Sequence, residues 1–307
     1  MPKMNVSRSI QIDAPVESVY PKLNNLNHWI SWSPWLILEP EAKVTVREDA
    51  KYYEWEGART GSGHMTITSE KENEKLDIDL VFLKPWKSKA KVAFNLKPSD
   101  GKTMVTWSME SSMPFFMFFM VKMMEAFIGM DFERGLKLLK DYVQDGQVHS
   151  KMKIEEKGSY PGCQYVGITT ECRIADLGDV MSKDFDTLWA YLHDKMDSVS
   201  GNPMSIYHQW KFGKGTCKYT VAVPLATIPA DLPANFSKGE IPATNTFSVL
   251  HTGPYEHLGN PWALISNLQR SKAFKAKKGV HPFEEYLTDP TKTQPLDYKT
   301  AIRFAVN

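Results

Sequence analysis

Cysteine is scarce: three in 307 residues, at Cys163, Cys172 and Cys217. An odd, sparse set is no disulfide framework, and no C-x-x-C pair offers a zinc site. The expected state is three free thiols in a reducing, cytoplasmic setting. Charge of either sign is not in excess: 37 Lys and Arg stand against 36 Asp and Glu, a formal net charge of +1. That balance removes the usual electrostatic reason to expect nucleic acid or an anionic membrane as a partner, without excluding a local basic patch. The eight histidines form neither an H-E-x-x-H nor an H-x-x-E-H pattern, and neither a Walker, a Rossmann nor a G-x-S-x-G run occurs. The expectations are no metal, no cofactor and no complete catalytic set. The first residues, Met1-Pro2-Lys3-Met4-Asn5, turn polar at once, so no leader is expected.

A long apolar run is also missing. The nearest to one is Met113–Met130, with Phe115, Phe116, Phe118 and Phe119, but Lys122 and Glu125 interrupt it. It falls short of the ~20 apolar residues that a membrane span needs. Its expected role is the first half of a core-packing helix over about Pro114–Val143, with a membrane-surface role left open.

What is present is alternation. Tyr53/Trp55, Met65/Ile67, Leu76/Ile78/Leu80/Phe82, Val92/Phe94/Leu96 and Val105/Trp107/Met109 each alternate with polar residues. This is the period-2 pattern of an antiparallel sheet with one buried face. Asp100-Gly101 is a hairpin turn. A strand at Val6–Ile12 and a helix carrying Val16, Val19, Tyr20 and Leu23 come first. A curved sheet closed by one long helix tends to leave a hollow for a ligand. Trp55 and Trp107 are the aromatic candidates for its lining, with Glu54, Arg59 and His64 as polar ones.

The second half repeats. A strand at 164–170, a helix at 179–195 and strands opening at Pro203 and closing at 219–223 are followed by the same series. The second set is a strand at 244–251, a helix carrying Leu258, Trp262, Ile265 and Leu268, and strands at 282–286 and 300–306. Tyr follows Pro by four residues in both copies, as Pro203/Tyr207 and Pro282/Tyr286. Two such units about a pseudo-two-fold make a concave sheet with a cleft between the helices. Glu284 and Tyr286 share a strand face. If that face lines the cleft, a carboxylate and a phenol converge on a ligand; the alternative puts Glu284 on a wet face beside Glu285. Tyr255 and Trp262, at the start and second turn of a helix, suit flat or cationic ligands. Trp262 could equally be plain core.

Two resemblances follow from these residues. Ile10–Tyr20, Trp29-Ile30-Ser31-Trp32-Ser33-Pro34-Trp35, Asp100–Trp107 and Gly129–Leu136 resemble the polyketide cyclase/START-like (SRPBCC) superfamily, over residues 1–146. His251-Thr252-Gly253-Pro254-Tyr255-Glu256-His257-Leu258, Pro282–Pro290 and Thr300-Ala301-Ile302-Arg303 resemble the GyrI-like effector-binding domain, over residues 150–307, with Gln144–Gln147 as the boundary. The implied fold class is α+β: a helix-grip START-like domain, then a pseudo-two-fold GyrI-like domain. The implied function is non-catalytic binding of small apolar or cationic organic molecules, through Tyr207, Tyr255, Trp262, Glu284 and Tyr286. The alternative is a hydrolase of electrophilic xenobiotics with Glu284 as general base and Tyr255 or Tyr286 orienting. The GyrI-like family often has a pocket Glu after the Thr of its final strand; here that position is Ala301, which argues against the hydrolase. A protein-interaction module is a third reading. No DNA-reading unit precedes either domain, so direct nucleic-acid contact is not expected.

Overall fold

The computed structural model describes residues 2–307. The chain divides into two compact units, residues 1–150 and 151–307.

In the first unit, β1 (Lys3–Ile12), α1 (Val16–Asn24) and a short α2 (Trp29–Trp32) precede six strands. These are β2 (Lys43–Val46), β3 (Tyr52–Gly57), β4 (Gly61–Lys71), β5 (Lys75–Lys84), β6 (Ser88–Ser99) and β7 (Lys102–Ser112). They form one antiparallel sheet in the order β1-β7-β6-β5-β4-β3-β2. Asp100 and Gly101 both take positive φ, 50° and 74°, at the β6–β7 hairpin. That is the left-handed pair a tight hairpin turn demands. Pro15 lies just before α1 in an extended conformation, and Val16, Val19, Tyr20 and Leu23 turn inward.

The expected long helix is divided. Phe115–Met120 is 3₁₀, and the α-helix, α3, runs Val121–Asp145. The four Phe residues of the first piece are 62–77% exposed, so the expectation that they begin a core helix is corrected. A 3₁₀ helix repeats every three residues. Met117 and Met120 therefore share the face that packs on the core, and the phenylalanines fall on the other two. Gly146, at φ 72°, closes α3 in the left-handed conformation common after helices.

The second unit holds β8 (Lys151–Tyr160), β9 (Cys163–Arg173), α4 (Leu177–Leu192), β10 (Met204–Lys211), β11 (Thr216–Pro224) and β12 (Ser237–Ile241). Then come β13 (Thr244–Thr252), α5 (Gly259–Arg270), β14 (Phe283–Tyr286) and β15 (Lys299–Val306). The sheet order is β12-β9-β11-β10-β14-β15-β13-β8. Read outward from the central β10/β14 pair, each repeat supplies the same sequence of strands: β10-β11-β9 on one side, β14-β15-β13 on the other. The pseudo-two-fold passes through that pair. Its mark is a reciprocal pair of backbone bonds, Tyr207 N–H to Pro282 C=O and Tyr286 N–H to Pro203 C=O, both 3.0 Å.

Candidate functional site

The seam between the repeats sets the chemistry. Glu284 is the register partner of Ser205 on β10 and of Ile302 on β15. Side chains of Ser205, Tyr207, Glu284 and Tyr286 therefore share one face of the sheet, since residues two apart point the same way. Glu284 is 3% exposed. Its Oε1 accepts from the indole N–H of Trp262 at 2.6 Å, and its Oε2 accepts from the Tyr286 hydroxyl at 2.6 Å. The Tyr286 oxygen also lies 2.9 Å from Ser205 Oγ, which is 3.2 Å from Met181 Sδ on α4.

Among the described residues, the groups that meet the Glu284 carboxylate are neutral donors. Burial pushes the Glu284 carboxyl above the ordinary range, because a charge in a low-dielectric site loses its hydration. Donation from Tyr286, Trp262 and Tyr207 opposes that rise without cancelling it. The same burial, with the carboxylate nearby, raises the phenols of Tyr207 and Tyr286 well above their usual value, so both stay protonated as donors.

Rings surround the carboxylate. Trp262 meets Tyr207 edge-on at 5.0 Å, and Tyr207 stacks on Trp210 at 5.2 Å. Tyr286 is met edge-on by Tyr255 at 5.4 Å and by Phe185 of α4 at 5.7 Å. Tyr255 stacks on Tyr298 at 4.7 Å. The floor of Ser205, Tyr207, Glu284 and Tyr286 is buried, while the walls of Phe185, Trp210, Tyr255, Trp262 and Tyr298 are half-buried. The outer edges of the walls therefore reach solvent. An open cavity of about 410 Å³ elsewhere in this unit, lined in part by Ser159, Tyr160, Lys277 and Val306, holds none of these residues.

Glu285 faces the other way. Its carboxylate binds Arg303 Nε at 2.6 Å and Asn202 Nδ2 at 3.0 Å, a conventional paired charge. Ala301 is the register partner of Glu285, not of Glu284. A carboxylate at 301 would thus join the Arg303 face, and its absence takes nothing from the Glu284 group.

Tyr207, Tyr255, Trp262, Glu284 and Tyr286 come together; Trp55 and Trp107 belong to the first unit. Trp107 is 2% exposed and stacks on Phe132 at 4.0 Å, with Trp29, Trp32, Trp35 and Phe94 around it. Trp107 is thus packed among core rings, and its indole N–H is buried without a hydrogen-bond partner among the described residues. Trp55 donates its indole N–H to Thr60 C=O at 3.3 Å and packs against Tyr53 and Phe82. Arg59 is held by Leu38 C=O and Glu41, His64 stacks on Tyr52, and Glu54 accepts from the Tyr52 hydroxyl. Among the described residues, Arg59 Nε and His64 Nδ1 are buried without a hydrogen-bond partner. Sequence reasoning missed Met181, Phe185, Ser205 and Trp210 as members of the carboxylate group. For Ser205 a signal existed: aligning Pro203 with Pro282 sets 205 against 284.

Residues 154–307 match the GyrI-like small molecule binding domain. The chain belongs to the GyrI-like family. Residues 3–144 match the family of polyketide cyclase/dehydrase and lipid transport proteins, so the GyrI-like unit is preceded by a START-like one. Similar solved structures include the EcmrR C-terminal domain: 15% identity, 52% of this chain and 98% of that chain covered, TM-score 0.43. EcmrR in complex with DNA is 13% identical over 62% of this chain and 69% of that one, TM-score 0.43. A START superfamily protein from Mycobacterium smegmatis is 16% identical over 47% of this chain and 99% of that one, TM-score 0.35. Among curated proteins none matches. Both resemblances read from the residues hold, and with them the α+β pairing of a START-like and a GyrI-like unit. Among the described residues no helix is long and apolar enough to cross a membrane.

Proposed function

We propose that the GyrI-like unit binds small, flat organic cations, holding them against Glu284 between the aromatic walls, and that it senses or sequesters them without converting them. The observation that carries the reading is a buried carboxylate met by neutral donors alone. Burying a carboxylate without a counter-charge is costly, and a cationic guest would supply that charge. Trp262, Trp210, Tyr207 and Tyr255 offer ring faces of the kind that attract organic cations. The helix at the cleft adds to this: α4 carries Asp179, Asp184 and Asp186 against Lys183 alone. A ligand of about two fused rings would have to part the walls, since the floor is closed.

The test is titration of the full chain with a small flat cation, N-methylquinolinium, and, separately, with a neutral aromatic compound of similar size, followed by tryptophan fluorescence. Saturable quenching by the cation, reduced in Trp262→Phe, is the expected outcome. Equal, weak and unsaturable responses to both compounds would remove the proposal. A second reading, hydrolysis with Glu284 as base, is favoured by the raised Glu284 pKa. Both of its oxygens already accept a hydrogen bond, which favours holding a charge over drawing a proton from water.

A further inference from the structure

The first unit exposes an apolar tip that the small-molecule reading does not use. Phe115, Phe116, Phe118 and Phe119 are 77, 74, 62 and 70% exposed, and Trp86 is 63% exposed. Exposed aromatic clusters of this kind on a folded surface mark contact sites. The strand register puts them at one end of the sheet. Lys3 pairs with Ser112 and Ala90 with Ser111, so the start of β1, the start of β6 and the end of β7 lie together. Trp86 sits in the β5–β6 turn that opens β6, and the phenylalanines follow directly from β7. The backbone N–H of Met113 bonds Pro2 C=O at 3.1 Å, tying the Phe segment to that end.

Lysine outnumbers acid at this end, where Glu56, Glu110 and Glu125 are the carboxylates. From Leu80 to Ser99 the chain has five lysines and no acid. Of those nearest the tip, Lys84 is paired with Glu56. Lys87 and Lys89, together with Lys3 and Lys122, are exposed and, among the described residues, join no ion pair. Glu125, on the first turns of α3, is occupied by the backbone N–H of Asn5. Aromatic side chains ringed by lysine complement an anionic bilayer surface, where rings enter the headgroup boundary and ammonium groups meet lipid phosphates. A second copy of the chain would bring the same lysines face to face, which disfavours self-pairing through this end.

We infer that the tip formed by Phe115–Phe119 and Trp86, with Lys3, Lys87, Lys89 and Lys122 about it, docks the protein peripherally on anionic membrane surfaces. Sedimentation of the full chain with vesicles tests this. Wild type should sediment with equal parts phosphatidylcholine and phosphatidylglycerol, and far less with phosphatidylcholine alone. F115S/F116S/F118S/F119S should lose about tenfold or more in partitioning with an unchanged melting temperature, because these rings already face water. K87E/K89E/K122E should lose about tenfold or more on the anionic vesicles, as expected for three reversed charges near the surface. Wild type left in the supernatant with anionic vesicles overturns the inference. So does undiminished binding by the serine variant. A concentration-dependent dimer in light scattering that the serine variant abolishes would assign the tip to a second copy and overturn it equally.

Discussion

Replacing Glu284 with Gln removes one charge and almost no volume, so it isolates the electrostatic part of the proposed site. The amide oxygen can still accept from Trp262 at the place where Oε1 does now, and the Tyr286 hydroxyl can turn to donate toward Ser205. The fold should therefore survive. A unit charge about 4 Å from the carboxylate gains about 4 kcal/mol at an effective dielectric constant near 20. Desolvation of the guest takes back roughly half, leaving about 2 kcal/mol, or about 30-fold in affinity. N-methylquinolinium should thus bind about 30-fold more weakly to E284Q, while a neutral aromatic compound changes little. The pH dependence supplies a second readout. Only the ionised carboxylate attracts the cation, so wild-type affinity should fall as pH drops through the raised pKa of Glu284, and E284Q should be flat there. Stability moves in the complementary sense. The folded state holds this proton more tightly than the unfolded state. Stability is therefore highest below the unfolded carboxyl value and declines as pH rises through the folded one, and E284Q should escape that decline. Fluorescence titrations across pH, with melting curves on the same samples, measure both. Equal cation affinity in E284Q and wild type, or a wild-type affinity that ignores pH, refutes the electrostatic argument.

Two further outcomes concern stability. Burial lowers His251 from an ordinary 6.5 to about 4, so the unfolded chain takes up this proton first as pH falls. Stability from this group is full above about 6.5 and is lost toward pH 4, by about 3 kcal/mol at most. His251→Gln should flatten that limb of the melting-temperature profile, and an unchanged limb would refute the assignment. On α3, a Cβ at Gly135 would meet the Trp107 ring at 2.7 Å and Pro34 at 3.0 Å, whereas at Gly129 the nearest atoms it meets are those of the Arg8 guanidinium. Arg8 is a long, partly exposed side chain that can move. Gly135→Ala should lower the melting temperature although alanine favours helix, and Gly129→Ala should hold or raise it by up to about 1 kcal/mol of helix propensity; the reverse order would refute the packing described for Trp107.

The strands were legible wherever one face is apolar and the other polar, as in β5 to β7. Three strands were not. β8 reads KMKIEEKGSY and β12 reads SKGEI. Both lie at the edges of their sheet, where lysine and glutamate guard unpaired backbone and erase alternation. β2, at the edge of the other sheet, has four residues, too few to show a period. The Phe115–Phe119 run misled for the opposite reason: hydrophobicity alone suggested burial, and only the three-residue repeat of a 3₁₀ turn explains why methionines face in and phenylalanines out. At the seam, alternation placed Glu284 and Tyr286 on one face but left open which face was enclosed. Register decided it, with Ser205 opposite Glu284 and Arg303 taking Glu285. The contributions of α4, through Met181 and Phe185, depend on how helix packs on sheet, a relation that spacing along the chain does not encode.

The reciprocal bonds of Tyr207 and Tyr286 show a duplicated frame, yet the acid is not duplicated: where one repeat has Glu284, the other has Ser205. Had both copies kept a carboxylate, two acids would meet across a single strand pair and share one proton, as like charges at close range must. With one, the proposed pocket carries a single negative charge off the centre of an otherwise even enclosure. Such a pocket would give a guest a preferred end, so a molecule with one charged terminus and one ring system should enter in a single orientation, whereas a symmetric dication would leave half its charge unmatched.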